Sequence, residues 1–309
     1  MIEVTNLTKR FGDNTAVDDV SFTVQPGHVT GFLGPNGAGK TTTLRAIAGL
    51  DRPTSGSTRV NGKHVTEHDA PLRELGVLLD AGYLQPGRRA DAHLRAIAAT
   101  HGFGRRRVDE VLELTGIQAV ARRRAGTFSL GMRQRLGIAA ALLGDPRTLI
   151  LDEPINGLDP DGVIWVRTLL KQLAAEGRTV FLSSHLMSEM AVTADHLIII
   201  GRGRLIADAP LQEILAGVHD ARIIVRTPDA ARLAAAVAAP AVTVTSVSAD
   251  SLEITGMSAP EVANVAASAG IAVHELTTHA TSLEEAYLSL TDASVQYRAT
   301  SSAEPVFTH

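Results

Sequence analysis

Hydrophobic and polar residues alternate along the first part of the chain in a pattern that predicts short β-strands. Apolar residues alternate with polar ones within residues 2–7 and again within 20–24, and a period of two is typical of a strand with one buried face. The polar stretch at residues 9–12 predicts a turn around which these two strands pair. Residues 29–33 are largely apolar and predict a short buried strand.

The segments that follow have a helical period. Apolar residues recur on one face of a helix predicted over residues 42–50. A longer region at about 84–145 is predicted to be mostly helical. Its arginine runs at 105–107 and 122–124 are typical of solvated helix faces.

The strand pattern returns in the middle of the chain. Apolar runs at 148–151 and 179–182 predict two further strands with a helix between them. Residues 197–200 and 205–207 flank a glycine-containing turn and predict a hairpin.

From about residue 220 the composition changes: alanine and valine become frequent and charged residues are few. The order of predicted elements is βαββαβ, which indicates a small ferredoxin-like unit. The strands are predicted at 222–225, 242–247, 251–254 and 271–276, and the helices at 230–238, 259–268 and 282–290. We therefore predict a first domain over 1–218, an accessory α+β domain over 219–292, and a disordered tail at 293–309.

A glycine-rich loop, residues 34–41, lies between the strand at 29–33 and the helix that follows it. The segment fits G-x-x-x-x-G-K-[ST] at every fixed position. Its glycines let successive backbone N–H groups point at phosphate oxygens, Lys40 adds a positive charge, and the Thr41 hydroxyl is suited to Mg²⁺. The predicted nucleotide-binding residues of this loop are Gly34, Asn36, Gly37, Ala38, Gly39, Lys40, Thr41 and Thr42.

Two acidic residues end the strand at 148–151. Asp152 comes first and is expected to hold Mg²⁺ beside the phosphate loop, directly or through water. Glu153 comes next and can act as a general base that polarises an attacking water molecule. An acidic pair at a strand end is more often surface charge, but the upstream phosphate loop favours the functional interpretation.

A histidine follows the next strand. His185 comes after Ser183 and Ser184 at the end of the strand at 179–182. In α/β sheets ligands bind at the carboxyl ends of the strands, so His185 is predicted to contact the γ-phosphate. A purely structural cap is the alternative.

The amino-acid composition excludes some kinds of chemistry and some classes of partner. The 309 residues contain no cysteine, which excludes disulfides, thiolate catalysis and Cys-zinc sites. The net charge of −4 does not indicate a nucleic-acid partner. The apolar runs are too short to span a bilayer, and no signal peptide is recognised, so a cytoplasmic location is expected.

The motifs together resemble those of the ATP-binding subunits of ABC transporters, over about residues 1–218. Residues 34–41 match the Walker A loop, and residues 149–153 match Walker B with Glu153 as its catalytic glutamate. Residues 156–159 match the D-loop, which ends at Asp159, and His185 matches the switch histidine.

Further site residues are implied by the resemblance alone. Phe11 lies where the family has an aromatic residue that stacks on adenine. Residues 128–132 lie where the family has its signature LSGGQ, with Ser129 and Gly131 retained. Leu130 replaces the first glycine and Met132 replaces the glutamine. The resemblance implies that Ser129 and the Gly131 N–H can still form hydrogen bonds to a partner's γ-phosphate.

The Q-loop is the second departure from the family. Aligned on Gly76, the position of its glutamine is Asp80. A carboxylate can contact Mg²⁺ or water but cannot donate as an amide does.

The resemblance implies a complete architecture. The fold is α/β, with a P-loop NTPase (RecA-like) core, an antiparallel β subdomain and a helical subdomain, plus the small C-terminal domain. The resemblance implies ATP and Mg²⁺ as cofactors. It also implies two partners: a second copy in a head-to-tail homodimer with ATP, and an integral membrane permease encoded separately. The chain would then be peripheral on the inner face of the membrane and power export of a drug-like, antibiotic or lipophilic compound.

Two other classes compete with this interpretation. A non-transport ABC ATPase of translation carries two ATPase halves, whereas this chain has one P-loop. An ABC ATPase of DNA maintenance has a long coiled coil inserted between its Walker A loop and its signature. In this chain the segment from Lys40 to Ser129 is too short to contain one. A small-molecule kinase with the same P-loop leaves the signature, the D-loop and His185 unexplained.

Overall fold

The computed structural model of the chain describes residues 1–80, 82, 84–216, 222–279 and 282–291. They form two compact units, Met1–Pro210 and Leu211–Leu290. The division at Pro210 precedes the predicted boundary at residue 218, because the composition changes only after the helix that begins at Leu211. The tail predicted at 293–309 lies outside the described residues.

The first unit contains strands and helices in alternation, with short 3-10 helices at Val65–Glu67, Gln118–Val120 and Ala125–Thr127. In chain order they are β1 (Ile2–Phe11), β2 (Asn14–Val24), β3 (Val29–Leu33), α1 (Lys40–Ile47), β4 (Ser55–Val60), α2 (Pro71–Glu74), β5 (Leu75–Leu78), α3 (Ala90–Thr100), α4 (Arg105–Leu114), α5 (Leu130–Ala141), β6 (Thr148–Asp152), α6 (Pro160–Ala175), β7 (Thr179–Ser184), α7 (Met187–Thr193), β8 (His196–Gly201) and β9 (Arg204–Pro210).

A six-stranded sheet forms the centre of this unit, in the order β5-β6-β7-β3-β8-β9. Its strands are parallel except β9, which pairs antiparallel with β8 as predicted for a hairpin. β7 lies between β3 and β6, with Ser184 opposite Leu33 and Ser183 opposite Asp152. The carboxyl ends of these three strands therefore meet at one edge of the sheet, which is where α/β folds bind ligands.

An antiparallel sheet in the order β2-β1-β4 forms the second layer. The turn predicted at residues 9–12 is wrong in extent, because β1 continues to Phe11, which pairs with Asn14 of β2. Pairing with a neighbouring strand outweighs the polar composition there. Phe22 of β2 packs against Phe32 and Phe181, with ring centroids 5.8 Å away in both cases, and so joins the two sheets.

Helix α1 is shorter than its predicted span of 42–50, and its end has a clear cause. Gly49 has a φ of 70°, in the left-handed region. The N–H of Gly49 donates to Ala46 at 3.1 Å, and that of Leu50 donates to Arg45 at 2.9 Å. This is the Schellman arrangement, in which a left-handed glycine ends a helix.

The helical subdomain predicted at about 84–145 contains α3, α4 and α5. Its loops are held by backbone hydrogen bonds between residues 86–91 and 121–126. The start of α5 lies next to the loop that follows β6, where Leu130 contacts Gly157.

The second unit contains α8 (Leu211–Ala216), β10 (Arg222–Arg226), α9 (Ala230–Val237), β11 (Thr243–Ser248), β12 (Ser251–Thr255), α10 (Ala259–Ser268), β13 (Glu275–His279) and α11 (Leu283–Thr291). Its sheet has the order β11-β12-β10-β13 with every pair antiparallel. From β10 to β13 this is the βαββαβ arrangement predicted from the sequence.

The strand predicted at 271–276 is wrong. β13 begins at Glu275, which pairs with Arg226. Ile271 instead belongs to the end of α10, because Gly270 has a φ of 63° and the N–H of Ile271 donates to Ala266 at 2.9 Å. The apolar side chain of Ile271 is buried in the core of this unit without being part of the sheet.

Candidate functional site

The loop between β3 and α1 is shaped by its glycines. Gly37 and Gly39 have φ values of 80° and 104°, in the region that side chains disfavour. A Cβ on Gly39 would lie 2.5 Å from the carbonyl oxygen of Ala16, and one on Gly34 would clash with the carbonyl oxygen of Ile200. The glycines therefore allow a tight backbone curl that ends at the N-terminus of α1, where an anion is favoured.

Lys40 begins α1 and folds back over the loop. Its Nζ donates to the carbonyl oxygens of Gly34 at 2.6 Å and Pro35 at 3.4 Å, and only 8% of the residue is exposed. Burial lowers the pKa of Lys40, while the charges of Glu153 and Asp152 act in the opposite direction. A desolvated ammonium in this position is stabilised by an incoming anion.

Asp152 lies at the end of β6, between two hydroxyl groups. Oγ1 of Thr41 donates to its Oδ2 at 2.7 Å, and the Ser183 hydroxyl donates to its Oδ1. Ser183 reaches this carboxylate because β7 separates β3 from β6. The arrangement fixes the carboxylate and brings together two oxygen atoms, from Thr41 and Asp152, of the kind that hard cations prefer.

Glu153 has a strained backbone at this position. Its φ is 51°, which costs a non-glycine residue on the order of 1 kcal/mol. Its N–H donates to Oγ of Ser183 at 3.1 Å. Its carbonyl oxygen accepts from Nε2 of the buried Gln134 at 3.1 Å and from the N–H of Asn156 at 3.2 Å. Both sides of the residue are thus held by hydrogen bonds.

His185 contacts the side chain of Glu153. Its Nδ1 lies 2.8 Å from Oε2 of Glu153. A carboxylate can only accept, so Nδ1 carries the hydrogen and the contact fixes the tautomer of the ring. The histidine therefore orients the carboxylate, across the edge between β7 and β6.

A pocket of about 440 Å³ is bordered by Lys40, Thr41, Asp152 and Glu153. Phe11 contributes an exposed ring, 52% accessible, with Nζ of Lys9 5.0 Å from its centroid. The ring offers an apolar face on which a base can stack. The lining residues are Phe11, Asn14, Ala16, Pro35, Asn36, Gly37, Gly39, Lys40, Thr41, Thr42, Asp152 and Glu153.

The signature and the D-loop border a separate pocket of about 300 Å³. Ser129 caps α5 by accepting from the N–H of Met132 at 3.3 Å. Asp159 caps α6 by accepting from the N–H of Gly162 at 3.1 Å. Gly131 also lines this pocket, which shares no lining residue with the first one. The structure thus brings the signature to the D-loop and leaves both away from Lys40 of the same chain.

Leu130 contacts the D-loop directly. Gly157 has a φ of 73°, and a Cβ there would clash with the side chain of Leu130. The leucine that replaces the first signature glycine therefore occupies space that only a glycine at residue 157 leaves open.

Asp80 does not line either of these pockets. It is exposed, and its Oδ1 accepts from the N–H of Gly82 at 2.6 Å. The structure therefore does not bring its carboxylate to Thr41 and Asp152, so its role at the metal remains a prediction.

Several residues of the site were not predicted from the sequence. Ser183 hydrogen-bonds to Asp152 and Glu153, Gln134 hydrogen-bonds to Glu153, and Asn14 and Ala16 line the pocket that Lys40 borders. Ser183 had a signal, since it directly follows the strand predicted at 179–182, and ligands bind at the carboxyl ends of strands in α/β sheets. The others depend on strand order and on where α5 packs, which the motifs do not specify.

Comparison with known proteins places these motifs in context. Residues 17–156 match the family model described as ABC transporter, and residues 221–284 match a domain of unknown function. An uncharacterized ABC transporter ATP-binding protein of Bacillus subtilis is 43% identical over 209 residues, covering 67% of this chain and 68% of the relative. The bacitracin transport ATP-binding protein of Bacillus licheniformis is 42% identical over 217 residues, covering 69% and 71%. A solved dimeric bacterial ABC transporter cassette gives a TM-score of 0.63 at 25% identity, covering 68% of this chain and 99% of the cassette.

Proposed function

Because the chain belongs to the family of ABC transporter ATP-binding proteins, which hydrolyse ATP to drive transport, we propose that it powers a separately encoded permease that exports an antibiotic-like or lipophilic compound. The observation that carries the proposal is that Lys40, Asp152 and Glu153 line one pocket at a single edge of the sheet, where His185 contacts Glu153. In the part of the chain that the structure describes, no helix is long and apolar enough to cross a bilayer. As in the family resemblance, we propose that the permease is another polypeptide, which would hold this chain at the inner face of the membrane.

The proposed metal is Mg²⁺, with Thr41 and Asp152 as its protein ligands. Mg²⁺ is usually held by one or two protein oxygens together with substrate phosphates and water, and the oxygens of these two residues already lie 2.7 Å apart. The ion would neutralise charge on the β- and γ-phosphates. Asp80 is proposed as an outer contact, for which it would have to leave the N–H of Gly82.

The proposed chemistry assigns one task to each remaining side chain. Lys40 supplies positive charge to the phosphates from its position in the loop. Glu153 accepts a proton from the attacking water as general base. His185 holds the Glu153 carboxylate through Nδ1, at 2.8 Å, and is proposed to contact the γ-phosphate through its other ring nitrogen.

The complete site is proposed to need a second copy of the chain. Ser129, Gly131 and Asp159 line one pocket, and Lys40 lines a different one. A head-to-tail dimer would place the signature of one chain over the nucleotide in the Lys40 pocket of the other. Exclusion of water and ordered charge around the γ-phosphate would then favour phosphoryl transfer.

The proposed cargo follows from a relative whose name specifies bacitracin transport. The relatives described above are transport ATP-binding proteins, and they give no support to a role in translation, DNA maintenance or small-molecule phosphorylation. Export of an amphipathic, antibiotic-like compound is therefore the cargo class that we propose.

The experiment is ATP-driven transport in inside-out vesicles that contain the chain and its permease. We expect accumulation of bacitracin or a similar amphipathic peptide with ATP, and none with the Glu153→Gln variant. Normal ATP hydrolysis with no movement of any amphipathic peptide would reject the cargo class while leaving the ATPase assignment intact.

A further inference from the structure

An arginine surface on the helical subdomain has no role in the site described above. We define it by Arg88 and Arg89, which precede α3, and by Arg122, Arg123 and Arg124, which lie between α4 and α5. We propose that this arginine surface binds the phosphate groups of an anionic lipid bilayer. The proposal rests on the proposed function, because a membrane permease would bring the chain to such a surface.

Backbone pairing holds the two arginine segments side by side. Arg89 and Arg124 form an antiparallel bridge. The carbonyl oxygen of Arg88 accepts from the N–H of Ala125 at 2.9 Å, and that of Arg123 accepts from the N–H of Ala90 at 3.2 Å. Because these are main-chain contacts, they place the arginines together without using their side chains.

Most of these guanidinium groups are available to a ligand. All five residues are exposed. Arg89 pairs with Asp91 at 2.8 Å. Among the described residues, Arg88, Arg122, Arg123 and Arg124 have no side-chain hydrogen bond or ion pair. By contrast, the run that begins α4 is neutralised by acids of the same helix, as in Arg106–Glu110 at 2.9 Å.

The local charge opposes the charge of the whole chain. Residues 84–95 and 118–127 contain six arginines and one aspartate, whereas the full chain has a net charge of −4. The neighbouring His93 adds no further charge at neutral pH, since burial and the proximity of Arg88 lower its pKa. A compact cluster of basic side chains, most of them without an acidic partner, is suited to binding anionic headgroups.

Guanidinium groups suit this ligand for a chemical reason as well. Each one can donate two parallel hydrogen bonds to a phosphate. Side chains that are separately exposed on two adjacent segments can each engage a different headgroup. A laterally mobile bilayer provides such an array of phosphates, so the charge complementarity favours a lipid surface as the occupant.

The test is co-sedimentation of the full chain with large vesicles, in the absence of any permease. We expect the chain to bind vesicles of phosphatidylcholine that contain about one third phosphatidylglycerol, and not to bind vesicles of phosphatidylcholine alone. Binding to the anionic vesicles should weaken as the salt concentration rises, because salt screens the attraction between exposed charges. The variant Arg122→Gln/Arg123→Gln/Arg124→Gln keeps the backbone pairing and should partition on the order of 100-fold more weakly. Its basal ATP hydrolysis should be unchanged.

The matched control is Arg59→Gln/Arg105→Gln/Arg106→Gln, which removes the same charge from exposed positions elsewhere. It should bind anionic vesicles as the unmodified chain does. Equal loss in both triple variants, or equal binding to neutral and anionic vesicles, would overturn the proposal. So would an absence of binding of the unmodified chain to the anionic vesicles.

Discussion

Nε2 of Gln134 lies 3.1 Å from the carbonyl oxygen of Glu153, so the signature helix holds the residue proposed as the catalytic base. One turn earlier on the same face of α5, Leu130 contacts Gly157. The helix therefore touches the segment from Glu153 to Gly157 at two points.

The Gln134→Met variant tests this relationship. Methionine keeps the length of the side chain and removes the donor, while the N–H of Asn156 still satisfies the carbonyl oxygen of Glu153. We expect the kcat for ATP hydrolysis to fall about fivefold to tenfold, the value of one hydrogen bond of about 1 kcal/mol, with KM unchanged. Gln172→Met on the exposed face of α6 is the control and should leave kcat unaltered. A rise in KM at constant kcat would show that Gln134 acts on nucleotide binding instead.

Replacement of Lys40 should remove productive ATP binding. Its ammonium group is the positive charge that borders the proposed nucleotide pocket from within the loop. With charge-assisted hydrogen bonds worth about 1.5–3 kcal/mol, we expect Lys40→Ala to weaken ATP binding by at least about tenfold in nucleotide titrations. Lys171→Ala, at an exposed position on α6, is the control. Wild-type affinity in the Lys40 variant would remove this lysine from the site.

The lowered pKa of Lys40 predicts proton uptake on ATP binding at alkaline pH. Burial lowers the pKa in the free chain, and a bound triphosphate raises it again by charge attraction. Below the pKa of the free chain the lysine is already charged, so no proton is taken up. As pH rises through that pKa, uptake appears and ATP affinity falls. Calorimetry in buffers of different ionisation enthalpy measures the uptake, and proton release on binding at alkaline pH would refute the assignment.

The Glu153→Gln variant should separate binding from hydrolysis. An amide cannot accept the proton of the attacking water, so we expect ATP affinity to persist while turnover falls at least about 100-fold. The variant should then accumulate as an ATP-bound dimer in size-exclusion chromatography with Mg²⁺. Glu113→Gln, at an exposed position on α4, is the matched control. Near-normal turnover in Glu153→Gln would assign the base to another residue.

Crosslinking tests the head-to-tail dimer. The chain contains no cysteine, so Gly37→Cys and Ser129→Cys introduce the only reactive pair. A Cβ on Gly37 meets no atom within 4 Å, which leaves the thiol room despite the positive φ. With ATP, and with Glu153→Gln to prevent hydrolysis, we expect links between chains. The control pair is Gly37→Cys with Arg106→Cys. Crosslinks confined to one chain, or crosslinks between chains that form as readily with the control pair as with the first pair, would argue against the composite site.

The family, the P-loop fold and the ATPase activity were predictable from the sequence, and the comparisons confirm them. The motifs are continuous and each follows a strand or begins a helix, so the local pattern locates them. The βαββαβ order of the second unit was predictable for the same reason. The contacts made by Ser183 and Gln134 were not predictable, because they depend on which strands and helices become neighbours.

Element ends were predicted less well, for local reasons that differ from one case to the next. α1 ends early because Gly49 takes a left-handed φ. Ile271 was assigned to a strand because a buried apolar residue near a helix end resembles the start of a strand. Glu153 adopts a positive φ that no propensity predicts. The roles proposed for Asp80, Ser129 and Phe11 remain predictions.

The contact between Leu130 and Gly157 makes the two positions an epistatic pair. A side chain at residue 157 would clash with leucine at residue 130, and a smaller residue at 130 would remove that clash while the positive φ of Gly157 continued to disfavour a side chain. The signature and the D-loop of this chain can therefore be exchanged with those of a relative only as a matched set. A graft of a glycine-rich signature alone would leave a void beside Gly157, and a graft of a bulkier D-loop alone would not fit.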